Sequence, residues 1–221
     1  MRETWFLFRH FWQADLKAQH GIAGLVLFAV CTVYAAYQVV QGRPEPETWN
    51  ALAWVILLFT AFNGVSRTLE EDRREVLAYL RTTVQPLHYM LARTLHNVIV
   101  LSGLACLVLG FMGLLMGSAD LSVSRLIGFA LGMMLTAVAL GTTLTLLALI
   151  AARAGSGFGL TAVLGLPLVL PVVLVSTSLG ADLLSGVLLA DTWHNFAFLG
   201  ALAAGSGVFG AVLFPYLWRD A

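Results

Sequence analysis

The side chains in this sequence that could bind a metal or move a proton are five histidines, two cysteines and twelve carboxylates. His88 and His96 stand eight positions apart, about two helical turns. One helix face could therefore present both imidazoles to a metal or a haem, although interfacial polar residues are the ordinary explanation of such a pair. His10, His20 and His194 are scattered. Cys31 and Cys106 fall in oily stretches, with no C-x-x-C or C-x-x-C-H, and read as small packing residues, not a disulfide framework. Glu70, Glu71 and Asp72 could be imagined around a cation, but Arg73 and Arg74 compete for their carboxylates. The hydrolase, metalloprotease and phosphate-loop motifs are missing, and "GSGFG" at 155–159 lacks the lysine that a phosphate loop needs. No enzymatic chemistry and no metal site can be read from these residues.

The elements that would position them are apolar. The chain is 59% hydrophobic and 11% charged, where soluble domains carry about 25% charged residues. A helix needs about 20 mostly apolar residues to cross a bilayer core of about 30 Å, since lipid offers the backbone no hydrogen-bond partner. Six stretches qualify: about 21–41, 49–66, 94–117, 124–151, 158–179 and 194–217. We therefore expect one all-α, multi-pass integral membrane domain over 1–221, with no folded soluble part. Zero net charge gives a nucleic-acid partner no electrostatic support. A cleavable signal peptide fits poorly, because the first 20 residues mix both signs of charge with large aromatics.

Basic residues set the expected sidedness. Arg2, Arg9, Lys17, Arg67, Arg73, Arg74, Arg81, Arg93, Arg153 and Arg219 fall on one face, against Arg43 and Arg125 on the other. The positive-inside bias then puts both termini in the cytoplasm. Trp5, Trp12 and Trp218 would mark the inner interface and Trp49 and Trp193 the outer one, with Trp54 packed deeper. Residues 2–18 read as an amphipathic helix lying in the interface, with Trp5, Phe8, Trp12 and Leu16 on one face and His10, Gln13 and Lys17 on another. A cytoplasmic extension of the first span is the other reading. "GLPLVLP" places Pro167 and Pro171 on one face of the fifth span, which should bend or unwind there. Gly113 with Gly117, and Gly128 with Gly132, suit close helix contact. The stretch "GADLLSGVLLADTWH" is weakly periodic and could dip into the membrane before the sixth span.

Charge is concentrated at one place, "SRTLEEDRREVLAYLRTTVQPLHYM" at 66–90, with eight charged residues between Arg67 and Arg81. Thr68 followed by Glu71 has the capping-box pattern, and Glu70–Arg74 is an i,i+4 pair in the favourable order. Leu69, Val76, Leu77 and Leu80 recur on one face, and Pro86 can open the next helix at its first turn. The pattern predicts a short amphipathic cytoplasmic helix between the second and third spans. A solvated connector on the headgroups and a rod docked in a partner's groove both fit this pattern.

A resemblance bears on that choice. "NGVSRTLEEDRREVLAYLRTTVQPLHYMLARTLHN" at 63–97 resembles the segment after the second span in the CcmB family, the permease subunit of the bacterial cytochrome c maturation haem exporter. "GLTAVLGLPLVLPVVLVSTS" at 159–178 is similar to that family's fifth span with its paired prolines, and length, span number and terminal placement match as well. Many members have a glycine in the charged loop and several prolines near the next span; here the loop has no glycine, and Pro86 stands alone.

The resemblance implies an ABC-2-like permease in a bacterial inner membrane, not itself an enzyme. A cytoplasmic ABC ATPase would hydrolyse ATP and engage a homodimer of this chain, beside a haem-handling membrane protein and a very small membrane subunit. Glu70, Glu71, Asp72, Arg73, Arg74, Glu75, Leu77, Leu80 and Arg81 would form the coupling helix, with Arg153 and Ser156 as a second contact. No cofactor would be bound directly, and haem would be the substrate of the complex, passed to a periplasmic haem chaperone. The alternatives are a permease of the same fold for a lipid or drug, a membrane assembly scaffold, or an intramembrane enzyme.

Overall fold

The computed structural model describes residues 2–17, 21–40, 42–70, 84–117, 122–153, 158–188 and 190–219. Among them are seven helices: α1 (Arg2–Lys17), α2 (Gly21–Val40), α3 (Pro46–Glu70), α4 (Pro86–Met116), α5 (Val123–Arg153), α6 (Phe158–Ser185) and α7 (Trp193–Arg219). Six of them, α2 to α7, are long and apolar enough to cross a bilayer, which makes this an all-α, multi-pass membrane protein.

The boundaries follow from local chemistry. Pro86 sits in the first turn of α4 behind an extended Gln85, where its missing N–H costs no intrahelical bond. Gly117 ends α4 with φ +80° and Gly186 ends α6 with φ +98°, a region that L side chains rarely adopt. The sequence expectations placed some limits differently. The second span runs on to Glu70 as one helix, so Thr68 lies inside α3 and does not cap a separate helix. The third span begins at Pro86, eight residues before the expected start. The fifth continues to Ser185, so the first six residues of the stretch expected to dip into the membrane are the end of α6. α6 is also helical through Pro167 and Pro171, with no unwound turn, and α7 likewise contains Pro215.

α5 is the hub: 72% of its apolar window is buried, against 17% for α2 and for α7. It touches α3, α4, α6 and α7. Three side-chain hydrogen bonds set its register. Asn97 Nδ2 donates to Thr145 Oγ1 at 2.8 Å. Thr136 meets Ser176 at 2.7 Å and Thr143 meets Ser206 at 2.8 Å. Both serines spend their protons on carbonyls of their own helices, Val172 and Leu202, so the threonines are the donors. Such bonds average about 0.6 kcal/mol in a membrane, so the three fix which residues face one another more than they hold the bundle together. Most of the packing is apolar, with Leu57, Leu101, Phe129, Leu140 and Leu144 nearly inaccessible at its centre.

Close approach on α6 depends on missing side chains. A Cβ at Gly132 would stand 2.8 Å from Leu179 Cδ2, which bears out the small-residue expectation there. Gly113, by contrast, faces open space, and Gly117 ends its helix at positive φ, where its carbonyl receives Trp49 of α3.

Helix ends sort onto two sides. The starts of α2 and α4 and the ends of α5 and α7 share one, called here the near side, where Leu7, Phe11, Tyr89, Met90, Leu149 and Phe214 form a second, smaller apolar cluster. On the far side Trp49 Nε1 donates to the Gly117 carbonyl at 3.2 Å, and Asn195 Nδ2 donates to Asp182 Oδ2 at 3.0 Å.

Candidate functional site

The near side carries the densest set of buried polar groups. α4 has 31 residues, about 46 Å at 1.5 Å per residue, so it overshoots a bilayer core by roughly ten residues. Its first three turns hold His88, Tyr89, Arg93, His96 and Asn97, and α1 packs along them. Leu7, Phe11 and Asp15, spaced four apart, are the residues that α1 buries against the bundle.

Asp15 is the unexpected member of that row. Its Oδ2 lies 2.9 Å from His96 Nε2, with the imidazole fully buried and the carboxylate side chain 9% exposed. The contact has ion-pair distance without hydrogen-bond alignment, and His96 Nδ1 finds no hydrogen-bond partner among the described residues. Around the imidazole stand Phe8, Phe11 and Trp12, with ring centroids 6.0 to 6.4 Å away. Arg93, also buried, places its guanidinium carbon 4.7 Å from the centroid of Phe11, a cation–π contact of about 1–2 kcal/mol when desolvated. Tyr89 closes the floor, edge-on to Phe11 and stacked on Phe214 of α7. Nearer the start of α4, Thr4 Oγ1 is 2.9 Å from His88 Nδ1 and Glu3 is 3.7 Å from its Nε2.

His88 and His96 therefore do share a face, as their spacing predicted, but what they meet is α1. Both imidazoles are engaged by its side chains, and the geometry is that of a clasp. No group of three or more potential metal ligands occurs among the described residues.

At the far side, a cavity of about 650 Å³ opens between the start of α3 and the end of α6, lined by Glu45, Glu47, Asn50, Asp182 and Ser185. The Asn50 amide is spent on the Thr177 carbonyl at 2.9 Å, and its Oδ1 accepts from Trp54 Nε1 at 2.6 Å.

Of the residues singled out by sequence, Glu71, Asp72, Arg73, Arg74, Glu75, Leu77, Leu80 and Arg81 lie outside the described residues, as does Ser156. Glu70 is the last residue of α3 and Arg153 the last of α5, so both stand at near-side helix ends. Pro167 and Pro171 are exposed on the outer surface of α6. Trp49 is not an interfacial anchor; it is fully buried with its ring 4.9 Å from Phe129. Trp193 is exposed and Trp54 packed, as expected. Cys31 and Cys106 are free but exposed on the bundle surface, so they are not core packing residues. Asp15 and Arg93 had no part in the sequence reading as partners, and Pro215 was missed.

No family model matches the chain, and no curated protein matches it.

Proposed function

We propose that this protein is the membrane permease subunit of an ABC-type exporter of the haem-export kind, in the bacterial inner membrane, with ATP hydrolysed by a separate cytoplasmic subunit. The observation that carries the reading is the charge-dense segment around 67–81, which joins α3 directly to α4. Both helices belong to the packed centre of the bundle, each touching α5. A push on the segment between them would be delivered to the core of the molecule and not to a peripheral span. The resemblance of 63–97 and 159–178 to the CcmB family supports an ABC ATPase as the partner and haem as the cargo.

In this reading Glu70 to Arg81 form the element gripped by the ATPase, with leucines as anchors and mixed charges setting register. Arg153 and Ser156 add a second contact at the ends of α5 and α6. Haem is cargo of the complex, handled with a membrane partner and a small membrane subunit and passed to a periplasmic chaperone. The CcmB reading also includes a pair of copies of this chain within the complex.

The test is affinity purification in mild detergent. We expect a nucleotide-binding subunit to co-purify with the wild type and to be lost from a Leu77→Asp/Leu80→Asp variant that still inserts in the membrane. Undiminished co-purification, or full function in cells that lack any such ATPase, overturns the proposal. Haem absorbance of the purified complex separates haem from another cargo.

A further inference from the structure

α1 uses one face on the bundle and leaves another without a partner among the described residues. Beside the buried row Leu7, Phe11 and Asp15 runs an aromatic stripe, Trp5, Phe8 and Trp12. Trp5 is stacked on Phe8 at 5.4 Å, and Phe8 lies 6.1 Å from Trp12. Trp5 is 65% exposed, while Phe8 and Trp12 are half-buried. Arg9, one turn beyond Trp5, is exposed next to this stripe, and His10 and Gln13 are exposed further round the helix, with Phe6, 73% exposed, between them. Of the two acidic side chains of α1, Asp15 meets His96 and Glu3 lies 3.7 Å from His88, and among the described residues no acid pairs with the exposed Arg9.

The occupant of this face follows from tethering. Only residues 18–20 separate α1 from α2, the first span, and three residues reach at most about 11 Å. α1 is therefore confined to the edge of the bilayer that α2 crosses. With 16 residues it is about 24 Å long, too short and too polar to cross by itself.

We propose that α1 is a docking surface for anionic phospholipid, with Trp5 at the acyl boundary and Arg9 on headgroup phosphate, held at that roll angle by the Asp15–His96 pair. Amphipathic aromatic rings settle at the headgroup level, and a basic side chain at an anionic surface contributes about 1 kcal/mol, a factor of about five in binding. Residues advance 100° per position around a helix, so even a modest roll of α1 would trade the aromatic stripe for the polar side. A buried pair that opposes such a roll is a positioning device for the lipid face. The inference rests on the spans and on the packing of α1, and stands independently of the exporter reading.

The experiment uses the full chain in nanodiscs, with Cys31→Ser and Cys106→Ser as background. A spin label at Trp5→Cys should be accessible to oxygen, and one at His10→Cys to an aqueous nickel chelate. Water accessibility at position 5 overturns the docking. Photoreactive phosphatidylglycerol should crosslink to residues 2–17 in excess over photoreactive phosphatidylcholine, and Arg9→Gln should cut that excess about fivefold. Equal yields in the wild type, or an excess untouched by Arg9→Gln, overturn the anionic preference. Asp15→Asn keeps the shape of the side chain, and should move the label at position 5 toward water while α2 stays in the bilayer. An unchanged depth in that variant overturns the positioning role.

Discussion

At the scale of single residues, stability hangs on contacts that tolerate no added atom. A Cβ at Gly180 would overlap Asn50 Oδ1 and stand 2.8 Å from Trp54 Nε1. Gly180→Ala therefore displaces the amide that ties α3 to the Thr177 carbonyl and leaves buried polar atoms unpaired, at about 1–3 kcal/mol each. Gly200 faces open space, so Gly200→Ala, equally helical, is the matched control. Thermal unfolding in detergent should show a clear drop for the first variant and none for the second; equal midpoints would refute the argument. The Asp15–His96 pair makes a second case. Removing one partner of a buried polar contact leaves the other unsatisfied, at about 1–3 kcal/mol, whereas replacing both by apolar groups of similar shape is often neutral. Asp15→Ala should destabilise strongly, and Asp15→Leu with His96→Leu should recover most of the loss; a double variant no more stable than Asp15→Ala would show that the pair is not the source. This clasp was half legible. The eight-residue spacing of His88 and His96 puts them on one face, but an acid on a short amphipathic helix reads as solvated, and its partner lies 81 positions away. Only tertiary packing brings a carboxylate into a row with Leu7 and Phe11.

Among the elements, the spans themselves were legible because hydrocarbon imposes a length and a composition that no other environment demands. Their ends were less so, since α3 and α4 continue past the apolar run into polar sequence, where helix propensity and not hydropathy sets the boundary. Thr68 illustrates the error. A threonine three residues before a glutamate has the spacing of a capping box, yet here the backbone was already helical from Pro46 and no helix starts. The two readings differ in what Thr68→Ala does. Loss of an N-cap costs about 1 kcal/mol, whereas within a continuous helix alanine is neutral or slightly favourable. We expect the unfolding midpoint of Thr68→Ala to match or exceed the wild type; a drop on the scale of a lost cap would restore a helix start at Thr68. The paired prolines were found from sequence, but they do not unwind the helix. Pro167 and Pro171 cost α6 hydrogen bonds, yet both lie on its outer surface and the helix continues through them. Glycine pairs had the opposite fate: spacing alone cannot tell Gly132, pressed against Leu179, from Gly113, which meets nothing.

For the molecule as a whole, six spans and an even alternation of helix ends make one strong statement. The N-terminal helix, the ends of α3 and α5 and the C-terminal end of α7 all stand on the near side. The packing of Phe214 on Tyr89, and of Tyr89 on Phe11, fixes α7, α4 and α1 against one another independently of any hydropathy count. Basic residues crowd the same side in the sequence, so the near side should face the cytoplasm. The far side carries the three-carboxylate cavity and only Arg43 and Arg125. Orientation can be read with single cysteines in a chain with Cys31→Ser and Cys106→Ser, labelled in intact cells by a maleimide that does not cross the membrane. Glu47→Cys and Asp191→Cys, exposed at the far side, should react from outside. His10→Cys and Gln85→Cys, exposed at the near side, should react only after the membrane is opened. The reverse pattern would invert the molecule and remove the segment at 67–81 from reach of any cytoplasmic ATPase. Reaction of His10→Cys and Gln85→Cys from opposite sides would contradict the docking of α1 on α4, and with it the clasp built from Asp15 and His96.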